Sequence, residues 1–205
     1  MEAPASSRVP QIRKAGGEEV PRLAKALARA FQDDPVFRWM VPDDSERLER
    51  SERGFALYLR KVYLRHDECY TTEGLVGGAL WMPPGTWHLG PLAQLRLLPG
   101  MLAAMGPRLP QVLRAIAMLE SNHPKEPHWY LPFVGVEPES QGRGVGTALM
   151  RPIVERCDRE QLPAYLEATT PRNRTCYERQ GFEVTEEFHF PKDGPPSWRM
   201  WRSPA

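Results

Sequence analysis

The stretch that decides the fold is Phe133-Val-Gly-Val-Glu-Pro-Glu-Ser-Gln-Gly-Arg-Gly-Val-Gly-Thr-Ala-Leu-Met150. It reads as a short apolar strand, a turn at Glu137-Pro-Glu139, a glycine-spaced loop, and a helix whose spacing is clear from Thr147 onward. Glycines allow a backbone to approach a ligand closely and to take positive φ. The first N–H groups of the helix have no intrahelical partner and carry the positive end of its dipole. Together these make an anion site suited to a pyrophosphate. Gln141, Gly142, Arg143, Gly144, Val145, Gly146 and Thr147 are the candidate binding residues.

Two other glycine loops are excluded by spacing. A dinucleotide fingerprint needs a third glycine, and counting from Gly142 or Gly144 lands on Thr147 or Leu149 instead. A Walker loop needs a Gly-Lys pair, and this stretch has no lysine. A second stretch then narrows the reading. Pro163-Ala-Tyr-Leu-Glu-Ala-Thr169 alternates as a strand, and Pro171-Arg-Asn-Arg-Thr-Cys-Tyr-Glu-Arg-Gln-Gly-Phe182 has proline near a helix start and glycine near its end. Asn173 and Tyr177 lie four apart on that helix and therefore share a face.

The Gln141-x-x-Gly144-x-Gly146 loop resembles motif A of the GNAT acyl-CoA N-acyltransferases, and Tyr177-Glu-Arg-Gln-Gly-Phe182 resembles a recurring ending of that family. Over roughly residues 122–185 the chain is similar to the puromycin N-acetyltransferase branch, through His123-Pro-Lys-Glu-Pro-His-Trp-Tyr130, Val134-Gly-Val-Glu-Pro138 and Pro171-Arg-Asn173. Weaker similarity covers Ala26–Pro35, and the middle of the chain is not covered.

The resemblance implies an α/β fold of GNAT type: a mixed, mostly antiparallel sheet with helices on both faces and a helical insertion. It implies acetyl-CoA as acyl donor, with its pyrophosphate on the glycine loop and Asn173 near the coenzyme. The strand over residues 129–136 and the next one would splay after residue 134, leaving backbone groups of Val134 and Val136 for the pantetheine arm. Tyr177 is the candidate acid beside the sulfur. Glu167, at a strand end, is the candidate base for the attacking amine, with a structural pairing to Arg172 or Arg174 as the competing role. Three functions follow: acetylation of a small-molecule primary amine, an amine-bearing antibiotic among them; acetylation of a protein or peptide amine; and a non-catalytic CoA-binding module. The chain keeps both loop and tyrosine, which disfavours the third.

The 205 residues suit one domain, with residues 1–7 as a tail, 8–205 as the domain and 129–185 as its coenzyme-binding core. Lys plus Arg number 27 against 26 acids, so no net field recruits nucleic acid or an anionic membrane. Cys69, Cys157 and Cys176 form no Cys-x-x-Cys pair, and neither they nor the five histidines have metal spacing. They read as reduced thiols of a cytoplasmic protein, monomer or homodimer, with no apolar run of membrane-spanning length.

Along the chain, a strand is expected over Val9–Lys14 and a helix over Glu18–Phe31, stopped by Asp33-Asp-Pro35. Pro35–Met40 is a short apolar segment whose Phe37 and Trp39 close the core or face substrate. Ser45 is the expected N-cap of a helix to Arg65, with Phe55, Leu59 and Val62 inside. Glu73-Gly74 reads as a hairpin turn, and Gly77-Gly78 predicts a bulge or a close backbone approach. Residues 86–121 carry expected breaks at Pro99-Gly100 and Gly106-Pro107, then an amphipathic helix from Leu109 to Glu120. This insertion is either a lid over the acceptor or a plain extension of the core. His123 and His128 read as structural or solvated loop histidines, with a base as the alternative. Pro152 interrupts a helix expected to end near Arg159, and the last strands cover Phe182–Phe190 and Trp198–Arg202.

Overall fold

In the computed structural model, which describes residues 10–205, seven strands form one sheet: Ile12–Lys14 (β1), Cys69–Thr72 (β2), Gly77–Met82 (β3), Trp129–Val136 (β4), Ala164–Ala168 (β5), Glu183–His189 (β6) and Pro196–Arg202 (β7). Their order is β1-β2-β3-β4-β5-β7-β6, and every neighbouring pair is antiparallel except β4 with β5. This is the mixed α/β sheet expected from the sequence. The tail and Val9 lie outside the described residues.

Successive side chains of β3 point to opposite faces and so define two cores. Leu80 and Met82 pack with the helices Val20–Ala30 (α1) and Asp44–Tyr58 (α3), whereas Ala79 and Trp81 pack with Val145–Glu160 (α6). The short apolar segment Pro35–Met40 is a helix (α2). Asp34 caps it by accepting from the N–H groups of Val36 and Phe37, and Pro35 takes the first helical position. Asp34-Pro35 thus starts one helix as well as ending another.

Helix α3 is capped by Asp43, which accepts from the Ser45 backbone at 2.9 Å, so Ser45 lies inside the helix instead of capping it. The helix continues through Leu59–Tyr63 as a wider turn and ends at His66. The insertion folds as Pro91–Met105 (α4) and Leu109–Ser121 (α5). The break at Gly106-Pro107 is present, but α4 runs unbroken through Pro99-Gly100. Leu97, Met101 and Ala104 bury against α3, and the absent side chain at Gly100 lets Leu57 in: a Cβ there would sit 2.8 Å from Leu57 Cδ1. Tertiary packing overrides the local breakers here.

The glycine pair of β3 is a close approach. A Cβ on Gly77 would lie 2.4 Å from the Gly135 carbonyl oxygen. The irregularity in this ladder falls further along, between Leu80 and Met82. Helix Pro171–Glu178 (α7) follows β5, capped by the Thr170 hydroxyl, which accepts from Asn173 N–H at 3.1 Å.

Candidate active site

The site begins where two parallel strands separate. β4 and β5 pair only at Trp129 with Ala164 and at Tyr130 with Tyr165. They diverge from Leu131, earlier than the expected residue 134. The cause lies in β4: Leu80 faces Phe133 and Met82 faces Tyr130, so Leu131 and Pro132 together oppose Trp81 as a bulge. Pro132 has no N–H to extend the ladder.

Beyond the bulge, Glu137 N–H donates to the Val76 carbonyl at 2.8 Å. In an antiparallel ladder bonded residues alternate, so Gly135 and Glu137 are spent on β3 while the N–H and C=O groups of Val134 and Val136 face the gap. The Val136 carbonyl is taken by the Gln141 side-chain amide at 3.0 Å, which ties the glycine loop to the strand.

Gly142 and Gly144 have φ of 75° and 76°, and Gly144 is the N-cap of α6, which starts at Val145 rather than Thr147. The first helical bond runs from Ala148 N–H to the Gly144 carbonyl. The amides of Val145, Gly146 and Thr147 therefore have no helical acceptor. A Cβ on Gly142 would meet nothing within 4 Å, so the space before the loop is open. Such a loop fits a large anion such as a coenzyme pyrophosphate. Among the predicted binding residues all line this cleft of roughly 640 Å³ except Arg143, which is exposed outside it.

A cavity of roughly 270 Å³ opens on the other side of the gap, and Phe31, Val134, Asn173 and Tyr177 belong to both. Its walls are apolar. Phe37 stacks on Phe31 at 4.9 Å and on Phe55 at 5.7 Å, with Phe133 set edge-on to both. Trp87, Met101, Met105 and Ile116 come from the insertion and its approach. Trp39 lies elsewhere, against Phe190.

Glu167 faces this cavity from β5. The Tyr130 hydroxyl donates to its Oε2 at 3.0 Å, and its Oε1 is buried without a partner. Burial pushes the Glu167 carboxyl up to about 7, against the Tyr130 hydroxyl and the Arg199 charge, which pull it down. Neither Arg172 nor Arg174 pairs with it; Arg174 lies 3.3 Å from Glu178 and over the Trp198 ring. Burial also drives the Tyr177 pKa up, so its hydroxyl stays protonated at neutral pH. That hydroxyl has no protein partner among the described residues and faces the junction of the two spaces.

Sequence reasoning missed Asp34. It lines the glycine-loop cleft, caps α2 and accepts from the Thr169 hydroxyl, and burial raises its pKa. The Asp-Pro pair was the available signal, since a carboxylate before an N1 proline is a helix start.

The chain as a whole has counterparts among known proteins. The model of the acetyltransferase (GNAT) family matches residues 24–182. An uncharacterized N-acetyltransferase of Schizosaccharomyces pombe is 27% identical over 186 residues, spanning 84% of this chain and 74% of that protein. A solved structure described as histone acetyltransferase HPA2 and related acetyltransferase, from Corynebacterium glutamicum, superposes with a TM-score of 0.71 at 28% identity, covering 96% of this chain and 97% of the other. The Drosophila melanogaster polyamine N-acetyltransferase, which forms N-acetylagmatine, shares the fold at a TM-score of 0.60 and 13% identity, over 94% of this chain and 99% of the other.

Proposed function

This chain belongs to the acetyltransferase (GNAT) family, and we propose that it transfers an acetyl group from acetyl-CoA to the primary amine of a small molecule with an apolar, largely aromatic body. It is an acetyl-CoA-dependent N-acetyltransferase by that membership; the acceptor and the residue roles are the proposal. The observation that carries it is the meeting of the two spaces at Val134, Asn173 and Tyr177, with a carboxyl titrating near neutrality on the acceptor side.

The N–H groups of Val145, Gly146 and Thr147 receive the pyrophosphate, and the backbone of Val134 and Val136 receives the pantetheine amides. Acetyl-CoA supplies the thioester. Glu167, ionised in about half of molecules at its pKa, takes the proton that the amine must lose to form a bond to carbon. Tyr177 gives its proton to the departing sulfur. An N–H of β4 beside the bulge stabilises charge on the carbonyl oxygen.

The enclosing rings of Phe37, Phe55 and Phe133 favour an apolar body over a polyamine chain, because each ring gains most by displacing water from apolar surface. The small volume favours a small molecule over a peptide. An amine-bearing antibiotic of the puromycin type fits this description and is the narrower form of the proposal. Thiol release from acetyl-CoA, measured over arylalkylamines, puromycin, agmatine and a peptide N-terminus, tests it. Turnover confined to agmatine or the peptide overturns the acceptor class.

A further inference from the structure

His123 and His128 lie next to the acceptor cavity and take no part in the chemistry above. His128 Nδ1 is 2.6 Å from the Glu126 carbonyl oxygen, and His128 Nε2 is 2.9 Å from His123 Nε2. A carbonyl oxygen can only accept, so His128 Nδ1 carries a hydrogen. In a neutral ring its Nε2 must then accept, and His123 Nε2 must donate. His123 Nδ1 is left with a lone pair. Burial holds both rings neutral, pushing His123 down to about 3, with the neighbouring His128 acting in the same direction. That value also makes His123 a poor base.

The ring has little freedom to turn. His123 stacks on Trp87 at 3.9 Å and meets Tyr130 and Tyr165 edge-on at 4.6 and 5.0 Å, while Trp201 covers His128 at 5.4 Å. His123 lines the acceptor cavity. Its Nδ1 has no protein partner among the described residues and is not sealed from solvent.

We propose that His123 is a specificity-determining residue, whose Nδ1 is locked as a hydrogen-bond acceptor by His128 and Glu126 and receives a hydroxyl or N–H group on the body of the acceptor amine. The inference rests on the acetyl-transfer reading and narrows it: the substrate is an apolar amine that also carries one donor. His128 is the positioning residue. A site built to accept one hydrogen bond discriminates against the analogue that lacks it, because the buried acceptor is then left dry and unpaired.

The test uses the whole protein with three probes: 2-phenylethylamine, tyramine and 2-amino-1-phenylethanol. Nitrogen-resolved NMR of the histidine side chains is expected to report His123 as the Nε2–H tautomer, unprotonated down to pH 5. One of the hydroxylated probes is expected to shift the His123 Nδ1 resonance more than 2-phenylethylamine does. In thiol-release assays that probe should exceed 2-phenylethylamine about 5- to 10-fold in kcat/KM, the size of one net hydrogen bond. The ratio should fall toward 1 in His123→Phe and in His128→Phe whatever their absolute rates. A His123 Nδ1–H tautomer, titration near 6.5, no shift with any probe, or a ratio untouched by His123→Phe overturns the inference. Thiol release with 2-phenylethylamine alone would leave the acetyl-transfer reading standing while this one fails; absence of release with every amine would fail that reading instead.

Discussion

The Tyr130 hydroxyl donates to Glu167 Oε2 at 3.0 Å across two strands that diverge at the very next residue of β4. Tyr130 belongs to the last pair of the parallel ladder, opposite Tyr165, and Glu167 lies two residues further along β5, so the geometry that opens the gap also sets the carboxyl beside it. Glu167 is left with one oxygen bonded and one free, in surroundings dry enough to hold its pKa at about 7.

If Glu167 is the base, Glu167→Gln removes a proton acceptor without changing size. kcat/KM for the amine is expected to fall about 100- to 10,000-fold, the range of positioned acid–base catalysis. The binding of CoA, measured by calorimetry, should be preserved. Wild-type activity should climb through a limb centred near pH 7, and the residual activity of the variant should lack it.

Tyr130→Phe removes a hydrogen bond that favours the charged carboxylate, so the Glu167 pKa rises further. The limb of kcat/KM is expected to move to higher pH by up to about one unit, the worth of a hydrogen bond to a charged group. At pH 9 the variant should recover most of the wild-type rate. A uniform loss at every pH would assign Tyr130 a packing role only.

Tyr177→Phe leaves the ring at the junction and takes away the proton donor. kcat is expected to fall about 10- to 100-fold while KM for acetyl-CoA changes less than threefold, since the lost interaction belongs to the transition state. Unchanged kcat in steady-state assays would remove the acid assignment.

The glycine-loop cleft was legible in the sequence because its determinants are local. The Gln141-x-x-Gly144-x-Gly146 spacing, the strand before it and the four-residue interval from Asn173 to Tyr177 lie within single elements, and a period suffices to read them. The apolar cavity across the gap was not legible. Phe31 comes from the end of α1, and Phe55, Met101 and Ile116 come from α3, α4 and α5, which tertiary packing alone brings together. The continuity of α4 through Pro99-Gly100 depends on Leu57 from a distant helix, and the early divergence of β4 and β5 depends on a bulge counted against β3. The His123–His128 contact is a loop closing on itself, for which residue type carries no periodic signal.

The close approach of β3 and β4 can be tested by size. Gly77→Ala places a methyl 2.4 Å from the Gly135 carbonyl oxygen, in backbone that cannot swing aside as a side chain would. A loss of about 2–4 kcal/mol in urea melts is expected, at the upper end of overpacking costs. Gly17→Ala, where a methyl would meet nothing within 4 Å, is the control and should be near neutral.

Stability and activity respond in opposite directions at Glu167. An unfolded glutamate loses its proton near pH 4.3, whereas the folded one holds it to about 7. Between those values the native state binds more protons than the unfolded chain, so this group's contribution to stability falls as pH rises through that window and is level above it. A glutamine carries no such penalty. Glu167→Gln should therefore match wild type in Tm at pH 4.5 and exceed it at pH 8, where the difference is about 1–3 kcal/mol or a few degrees. Thermal melts by circular dichroism at the two pH values measure it. A Tm gap that does not widen with pH would mean that Glu167 is solvated in the folded protein, and the assignment of a near-neutral base would fall with it.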